Sequence, residues 1–270
     1  MGESYREVAP LAGAAPYYGG KKLLAARIIA RIEKIPHLCY AEPFLGMGGV
    51  FFRRRKAPPA EVINDGSRDV ATFFRVLQRH YLAFIEMLRW QITTRSEFQR
   101  LVATNPDTLT DLERAARFFY LQRTGFGGKV VGRTFGTSAL RGGAFDISRI
   151  VPHLEDLHSR LAGVTIECLP YSEFIARYDR PSTLFYLDPP YVGMEKLYEG
   201  GFTREDFGRL EAQLSSIQGR FIMSLNDSAE VRRLFAKFRL ATVETTYTAG
   251  GPSHVKRVTE LLISSRPRHH

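Results

Sequence analysis

Leu184-Phe185-Tyr186-Leu187-Asp188-Pro189-Pro190-Tyr191 is a short apolar run that ends in an acid, two prolines and an aromatic ring. An apolar run of this length, bounded by turn-forming residues, is typical of a central strand that is covered on both faces. The two prolines fix their own φ angles and bias Asp188 to an extended conformation, so we expect a stiff loop after the strand. Ligands of open α/β sheets bind at such strand ends, which makes this loop a candidate functional site.

The overall composition is that of a globular protein with a basic charge balance. The chain has 270 residues, of which 44% are hydrophobic, enough for one large core or for a core with a smaller insert. Its net charge of +10 favours phosphate binding through counterion release. Apolar segments are shorter than the ~18 residues of a membrane helix, and residues 1 to 15 lack the order of a signal peptide. We therefore expect a cytoplasmic protein without a membrane partner.

Metal binding is not indicated by the pattern of cysteines. Cys39 and Cys168 fall singly in apolar stretches far apart in the chain, which suits buried small hydrophobic residues better than a disulfide or a ligand pair. We assign no metal site.

A glycine turn opens the first predicted helix. Tyr17-Tyr18-Gly19-Gly20-Lys21 precedes a pattern in which Leu24, Ile28 and Ile32 recur at helical spacing. A lysine held at that helix start can bind a carboxylate, and the alternative is a solvated lysine in the first turn.

A predicted strand, His37 to Ala41, runs into the glycine-rich turn Glu42-Pro43-Phe44-Leu45-Gly46-Met47-Gly48-Gly49 and then into a predicted helix from Val50. Such glycines let the backbone approach a ligand closely, although an ordinary tight turn has the same composition. We interpret the following Arg53-Arg54-Arg55-Lys56 as the solvated basic end of that helix rather than as a DNA contact.

A second predicted strand, Glu61 to Asn64, ends at Asp65. An acid roughly 20 residues past the glycines is where the ribose hydroxyls of a nucleoside ligand are held. Glu42 would repel a pyrophosphate, so the pattern favours a nucleoside cofactor that carries a cationic amino group. S-adenosylmethionine is such a molecule.

Between Tyr81 and about Phe145 the sequence changes character. Helical patterns at residues 84–90, 96–102 and 111–122 lead into a basic, glycine-rich segment, residues 123–143. This span is too long for an ordinary crossover connection, so we predict an inserted subdomain over residues 81–145, between the catalytic parts 1–80 and 146–270. Its last segment combines cations for phosphates or base edges with rings for stacking, and the alternative is a solvated surface loop. The candidate DNA-binding residues here are Arg123, Phe126, Lys129, Arg133 and Arg141.

The rest of the chain continues the alternation of strands and helices. We predict helices at residues 147–161 and 172–178, strands at 164–169 and 221–225, and an antiparallel pair formed by residues 240–248 and 258–264. Thr203 and Asp206 form a capping-box pattern that opens a further helix. A second basic glycine loop between the paired strands adds Lys256 and Arg257 to the candidate DNA contacts.

Asp188-Pro189-Pro190-Tyr191 resembles the catalytic motif of S-adenosylmethionine-dependent amino-methyltransferases, and its aspartate form is typical of N6-adenine DNA enzymes. The other motifs follow in the order of the Dam-like D12 class, which has the α-type arrangement. Residues 17–21 resemble its N-terminal cofactor motif, residues 42–52 its glycine motif, and residues 224–228 and 259–263 its later elements. The resemblance covers most of residues 16–264 and is thin from about 82 to 145.

This resemblance implies a fold and a set of roles. The expected fold is α/β, with a Rossmann-like methyltransferase sheet that is mostly parallel with one antiparallel C-terminal strand, and with a small, mainly helical target-recognition insert. The expected catalytic residues are Asp188, Pro189, Pro190 and Tyr191. The expected S-adenosylmethionine contacts are Tyr17, Lys21, Glu42, Pro43, Phe44, Gly46, Gly48, Asp65 and Asp188.

The chain departs from the family pattern at several cofactor positions. Tyr17 stands where the family usually has tryptophan, and Asp65-Gly66-Ser67 stands where an Asp-x-Asn element is frequent. Near Pro170-Tyr171 an Asp-Phe pair is missing, which leaves the contact to the adenine ring of the cofactor unassigned.

The expected reaction is methyl transfer from S-adenosylmethionine to N6 of an adenine flipped out of double-stranded DNA, by a monomer or weak dimer with strict or relaxed site specificity. Two alternatives keep the fold and change the acceptor, to adenine in RNA or to cytosine N4 in DNA. The second is disfavoured because serine often replaces the aspartate in cytosine enzymes. An inactive binding protein is disfavoured by the intact Asp188, Tyr191, Gly46 and Asp65.

Overall fold

The fold is built on a central sheet with helices on both faces. A computed structural model describes residues 5–21, 23–137, 142–193, 202–248 and 255–266, and for residues 245–248 and 255–257 it describes the backbone alone. The strands of these residues are β1 (Arg6–Glu7), β2 (Cys39–Glu42), β3 (Lys56–Ala57), β4 (Ala60–Asn64), β5 (Thr165–Glu167), β6 (Thr183–Leu187), β7 (Arg220–Asn226), β8 (Arg239–Thr248) and β9 (Val255–Ser264).

Seven of these described strands form the main sheet, in the order β5, β4, β2, β6, β7, β9, β8. Neighbouring strands are parallel except that β9 runs antiparallel to both β7 and β8. The predicted architecture, a mostly parallel sheet with one antiparallel C-terminal strand, is confirmed.

The apolar run of β6 lies at the centre of the sheet, between β2 and β7, and all five of its residues are buried. Leu184 and Tyr186 belong to the hydrophobic core on one face, whereas Phe185 and Leu187 belong to the core on the other. Successive side chains of a strand point to opposite faces, so this strand needs apolar residues at every position. The prediction of a central strand covered on both faces is confirmed.

Helices cover the two faces of the sheet. The α-helices among the described residues are α1 (Ala25–Ile32), α2 (Arg68–Arg79), α3 (Tyr81–Arg89), α4 (Arg95–Ala103), α5 (Asp111–Thr124), α6 (Ile147–Arg160), α7 (Tyr171–Tyr178), α8 (Arg204–Ser216) and α9 (Ala229–Leu234). Helices α1 to α6 contribute to one core, and α7 to α9 contribute to the other. The predicted capping box of α8 is present, with Thr203 and Asp206 bonded reciprocally.

The helices predicted for the insert pack directly on the core of the sheet. Phe73 of α2 stacks on Phe119 of α5, with ring centroids 5.3 Å apart, and also contacts Phe84 of α3. These side chains belong to the same hydrophobic core as Ile28 of α1 and Leu154 of α6. The division into a catalytic domain and a recognition subdomain over residues 81–145 stays a prediction.

The predicted helix from Val50 is wrong. The chain forms only a 3-10 turn at Phe51–Arg53 and then enters β3, which pairs antiparallel with β1 near the N-terminus. Both phenylalanines of this turn are fully buried. The local glycine-loop pattern cannot reveal this pairing, because β1 lies about fifty residues earlier in the chain.

Arg54, interpreted as part of a solvated helix end, is buried instead, with 1% of its surface exposed. It donates a 2.9 Å hydrogen bond to Glu61 and lies over the ring of Tyr40, 3.7 Å from the centroid. Arg160 of α6 donates to both carboxylate oxygens of Glu61, each at 2.7 Å. The buried Glu61 needs these cations, because an unpaired buried charge is strongly destabilising.

Two further sequence predictions are wrong. Lys256 and Arg257 lie within β9 rather than in a loop, opposite Tyr247 and Thr246 of β8, because the antiparallel ladder continues beyond the predicted strand start. Cys168 is exposed rather than buried, because it follows the end of β5 at the rim of a cavity, and both cysteines are free.

The described residues contain no helix long and apolar enough to cross a membrane, and no cluster of three or more His, Cys, Asp or Glu residues that could hold a metal ion. Arg141 and residues 194–201 lie outside the described residues.

Candidate active site

The carboxyl ends of β2, β4 and β6 open into one cavity of about 1160 Å³. Glu42 is the last residue of β2, and Asp65 and Asp188 directly follow β4 and β6. These strands are parallel neighbours, so their ends bring the three acids to one edge of the sheet. The predicted site residues that line the cavity are Tyr17, Lys21, Glu42, Pro43, Phe44, Gly46, Asp65, Asp188, Pro190 and Arg123.

Asp188 is held by two donors that approach the same oxygen. The Lys21 ammonium lies 2.7 Å from Oδ1, and the Ser224 hydroxyl donates to Oδ1 at 2.9 Å. Burial raises the pKa of Asp188 above its ordinary value, and the Lys21 ammonium opposes that rise. Lys21 is therefore buried and paired with Asp188 rather than solvated in the first turn, and its contact with the cofactor stays a prediction.

Tyr191 is fixed beside this ion pair. Its hydroxyl accepts a 2.7 Å hydrogen bond from Lys21, whose ammonium also lies 4.5 Å from the ring centroid. The side-chain amide of Asn226 accepts from the Val192 N–H at 3.2 Å and donates to the Val192 carbonyl at 3.4 Å. The chain that leaves the Pro-Pro turn is thereby tied to the end of β7.

Glu42 is a buried carboxylate with a hydroxyl partner. Only 2% of its surface is exposed, and Tyr40 donates a 2.6 Å hydrogen bond to it. Burial raises the pKa of Glu42 to about 8, and the nearby negative charges of Asp188 and Asp65 add to that rise. The Tyr40 hydrogen bond and the Arg54 guanidinium act in the opposite direction.

Asp65 joins the glycine turn after β2 to the residues that precede α2. Its two carboxylate oxygens accept hydrogen bonds from the Gly46 N–H at 2.8 Å and the Ser67 N–H at 2.9 Å. Burial raises the pKa of Asp65 to about 6, against the effect of these two backbone donors. Ser67 directly precedes α2, but its side chain makes no capping hydrogen bond.

The two glycines of the turn have different surroundings. Both have positive φ, 52° at Gly46 and 71° at Gly48. A Cβ on Gly46 would lie 3.0 Å from the ring of Tyr17 at the cavity wall, whereas a Cβ on Gly48 would lie 2.3 Å from the ring of Phe52. Gly48 is not among the described residues that line the cavity, and its cofactor contact stays a prediction.

Asn64, at the end of β4, is a functional candidate that the sequence did not reveal. It is 1% exposed and donates to the Pro43 and Leu169 carbonyls at 2.9 and 3.1 Å, while it accepts from the Leu169 N–H at 2.8 Å. One amide thus joins the loops that follow β2, β4 and β5. An amide at the end of a largely apolar strand is the signal that could have indicated it.

Three aromatic rings form one wall of the cavity. Phe44, Tyr171 and Phe202 lie with their ring centroids 5.5 to 5.9 Å apart. Sequence reasoning assigned only Phe44 to the cofactor and left the contact to its adenine ring open. Tyr171 begins α7 after β5, at the same sheet edge as the acids, and that position could have indicated it.

Of the candidate DNA-binding residues whose side chains the structure describes, Arg123 lines the cavity and the others do not. Arg123 is half-buried, and burial lowers the pKa of its guanidinium. Phe126 and Lys129 are exposed on the loop that follows α5, while Arg133 lies 5.9 Å from the ring centroid of Phe118. That loop is closed by two backbone hydrogen bonds, from residue 126 to 134 and from 136 to 124. Arg53 also lines the cavity, a position the sequence did not indicate.

Comparison with known proteins agrees with this geometry. Residues 17–249 match the D12 class N6 adenine-specific DNA methyltransferase family, and the chain belongs to that family. It is 27% identical over 268 residues to the Type II methyltransferase M1.LlaDCHI from Lactococcus lactis subsp. cremoris, covering 92% of this chain and 93% of that protein. The predicted reaction class, methyl transfer to adenine N6 in DNA, is confirmed.

Solved structures resemble the chain at lower identity. A SAM-dependent methyltransferase from Agrobacterium tumefaciens is 11% identical, with 99% of this chain and 71% of that chain covered and a TM-score of 0.41. The rRNA methyltransferase aviRa from Streptomyces viridochromogenes is 13% identical, with 95% and 88% covered and a TM-score of 0.38.

Proposed function

We propose that the cavity binds S-adenosylmethionine together with an adenine turned out of double-stranded DNA, and that Asp188 orients the amino group of that adenine. The observation that carries this proposal is the placement of Asp188, Glu42 and Asp65 in one cavity at the carboxyl ends of adjacent parallel strands. A cofactor at one end of the cavity and a base at the other would meet at Asp188.

The residues present fit this cofactor. S-adenosylmethionine supplies an electrophilic methyl group on a sulfonium centre. Glu42 offers a buried acid to a cationic amino group, and Asp65 offers the remaining lone pairs of its carboxylate to ribose hydroxyls. The rings of Phe44, Tyr171 and Phe202 offer apolar faces to an adenine ring.

The role of Asp188 follows from the electronic structure of adenine. The lone pair of the exocyclic nitrogen is delocalised into the ring, so this nitrogen is a poor nucleophile. If the Asp188 carboxylate and the Pro189 carbonyl accept hydrogen bonds from its two hydrogens, the lone pair is directed towards the methyl donor. Even with its raised pKa, a carboxylate is too weak a base to deprotonate a neutral aromatic amine beforehand. Asp188 would therefore raise the rate by orienting the amino group and by electrostatic stabilisation.

Recognition of DNA rests on the basic and aromatic residues at and beyond the cavity. Adenine in a duplex hides its amino group, so the nucleotide must rotate out at a cost of a few kcal/mol. Tyr191 would stack on the rotated base, a contact worth about 1–3 kcal/mol. Arg123 at the cavity, with Phe126, Lys129 and Arg133 on the loop after α5, would contact the flanking strand.

The experiment incubates the protein with labelled S-adenosylmethionine and either DNA or RNA, digests the product, and identifies the methylated nucleoside by mass spectrometry. We expect N6-methyladenine in DNA. The Asp188→Ala variant should lose at least two orders of magnitude in rate, roughly the value of a well-placed electrostatic contact. Asp156→Ala, which removes an exposed acid on α6, is the matched control and should keep full activity.

Methylation of cytosine, methylation of RNA alone, or an Asp188→Ala variant as active as Asp156→Ala would contradict the proposal.

A further inference from the structure

Two buried hydroxyl groups lie in a row behind Asp188. Ser224 of β7 donates to Oδ1 of Asp188 at 2.9 Å, and the hydroxyl of Tyr186 on β6 lies 2.9 Å from the Ser224 oxygen. Both residues are 0% exposed. Ser224 interrupts an otherwise apolar strand, Phe221-Ile222-Met223-Ser224-Leu225, where a hydrophobic side chain would pack without needing a partner.

The direction of these hydrogen bonds follows from counting protons. An ionised carboxylate only accepts, so the single proton of Ser224 points to Asp188. The Tyr186 hydroxyl must then donate to the Ser224 oxygen. Lys21 uses its three N–H donors on Asp188 Oδ1, the Tyr191 hydroxyl at 2.7 Å and the Gly19 carbonyl at 3.1 Å. Among the described residues, the side-chain donors to Asp188 all reach Oδ1.

We propose that Ser224 and Tyr186 are positioning residues that hold the Asp188 carboxylate by Oδ1 and thereby present Oδ2 to the amino group of the adenine. This inference rests on the role proposed above for Asp188. The terminal torsion of an aspartate is broad and roughly two-fold, so an unheld carboxylate exchanges its two oxygens and samples a wide range of angles. Lys21 and Ser224 both donate to Oδ1, and together they remove that freedom before the substrate binds.

The same hydrogen bonds also affect the pKa of Asp188. The hydrogen bond from Ser224 lowers the pKa of this carboxyl, against the burial that raises it. The hydrogen bond from Tyr186 makes the Ser224 hydroxyl a better donor, because linked hydrogen bonds polarise one another. Tyr186 also lines the cavity, but its side chain is fully buried and its hydroxyl is bonded to Ser224, so its effect on Asp188 passes through the serine.

The test measures single-turnover methyl transfer with saturating DNA and S-adenosylmethionine for Ser224→Ala, Tyr186→Phe and the double variant. Loss of a hydrogen bond to a charged group predicts a rate about 10- to 100-fold lower for Ser224→Ala, with unchanged dissociation constants. Tyr186→Phe should lower the rate less, and in the Ser224→Ala background it should add nothing, because its effect passes through the serine.

The matched controls delete buried or half-buried hydroxyls of residues that do not line the cavity. Thr183→Val acts at the opposite end of β6, where the hydroxyl donates to the Tyr178 carbonyl at 2.8 Å. Tyr178→Phe removes a hydroxyl that donates to Glu167 at 2.6 Å. Both controls carry the folding cost of a lost hydroxyl and should keep the full rate, which separates positioning from a general loss of stability.

A second readout does not depend on catalysis. The titration of Asp188, followed by NMR of protein labelled at the aspartate carboxyl carbons, should move to higher pH in Ser224→Ala, because a donor to the ionised form is lost. The acid limb of the pH–rate profile should move in the same direction. The controls should leave both unchanged.

Independent, multiplicative effects of the two substitutions would overturn the proposal, and so would a full rate in Ser224→Ala. If the unmodified protein methylated no DNA, the role of Asp188 would fail, while a shifted titration in Ser224→Ala would still show the hydrogen bond itself.

Discussion

At the scale of single residues, the cavity concentrates acids whose protonation differs between the folded and unfolded chain. Glu42 has a pKa of about 8 in the folded protein, against an ordinary value near 4.5. Between these values the unfolded chain binds fewer protons than the folded one, so stability is highest below the ordinary pKa and falls as pH rises towards 8. Asp65 titrates near 6, at the lower end of the window from pH 6 to 8, and Glu42 continues to titrate across that window.

We therefore expect Glu42→Gln to gain stability relative to the unmodified protein as the pH rises from 6 to 8. The gain should be about 1–3 kcal/mol, because the variant lacks the cost of ionising a buried carboxyl. Denaturant unfolding of the ligand-free protein at both pH values measures it, with the exposed Glu173→Gln as the control. A difference in stability that does not change with pH would contradict a buried, protonated Glu42.

The sequence predicted Glu42 but not its environment. Its acid character and its place after a strand were visible, and so was a lysine able to bind a carboxylate. The Tyr40 partner lies two residues earlier on the same face of β2, a relation that strand periodicity contains. Arg54 contacts the Tyr40 ring and Ser224 contacts Asp188 only because the assembled sheet brings distant turns and strands together.

At the scale of the element, the glycine turn after β2 depends on one tight contact. Gly48 has φ of 71°, and a Cβ there would lie 2.3 Å from the Phe52 ring, which is itself fully buried. The turn also carries Gly46, whose N–H is bonded to Asp65. A side chain at residue 48 must therefore displace either the core or the turn that lines the cavity.

Gly48→Ala should destabilise the protein by at least about 1–2 kcal/mol, the cost of a left-handed conformation for a residue with a Cβ, and should weaken S-adenosylmethionine binding. Gly208→Ala is the matched control, since this glycine lies in α8 with open space around it. The control should be neutral or stabilising by about 0.5–1 kcal/mol. Denaturant unfolding and calorimetric titration with the cofactor measure both effects. Equal stability and cofactor affinity in the two variants would contradict this account of the turn.

Elements were predictable where their signal was local. A few adjacent residues are enough to predict the central strand, the helix periodicity of α1 and the capping box of α8. The helix expected after the glycine turn failed because β3 pairs with β1, and the extension of β9 was missed because a ten-residue ladder with β8 overrides the loop composition. Pairing over long sequence distances is not contained in a local pattern.

At the scale of the whole molecule, the net charge of +10 favours phosphate binding but does not by itself identify the DNA-binding face. Arg123, in the last turn of α5, differs from Lys129 and Arg133 of the following loop because it lines the cavity with Asp188. Its Nε is buried without a hydrogen-bond partner in the described chain. A phosphate beside the rotated adenine would supply that partner.

If Arg123 contacts such a phosphate, Arg123→Ala should weaken binding of all DNA sequences alike and reduce the slope of log Kd against log salt concentration by about 0.9. The control is Arg180→Ala, an exposed cation that precedes β6 at the opposite edge of the sheet, and it should leave the slope unchanged. Fluorescence anisotropy with two unrelated duplexes over a salt series measures both quantities. A loss of affinity for one duplex only, with an unchanged slope, would assign Arg123 to a base edge instead, because a base contact carries sequence information and a phosphate contact does not.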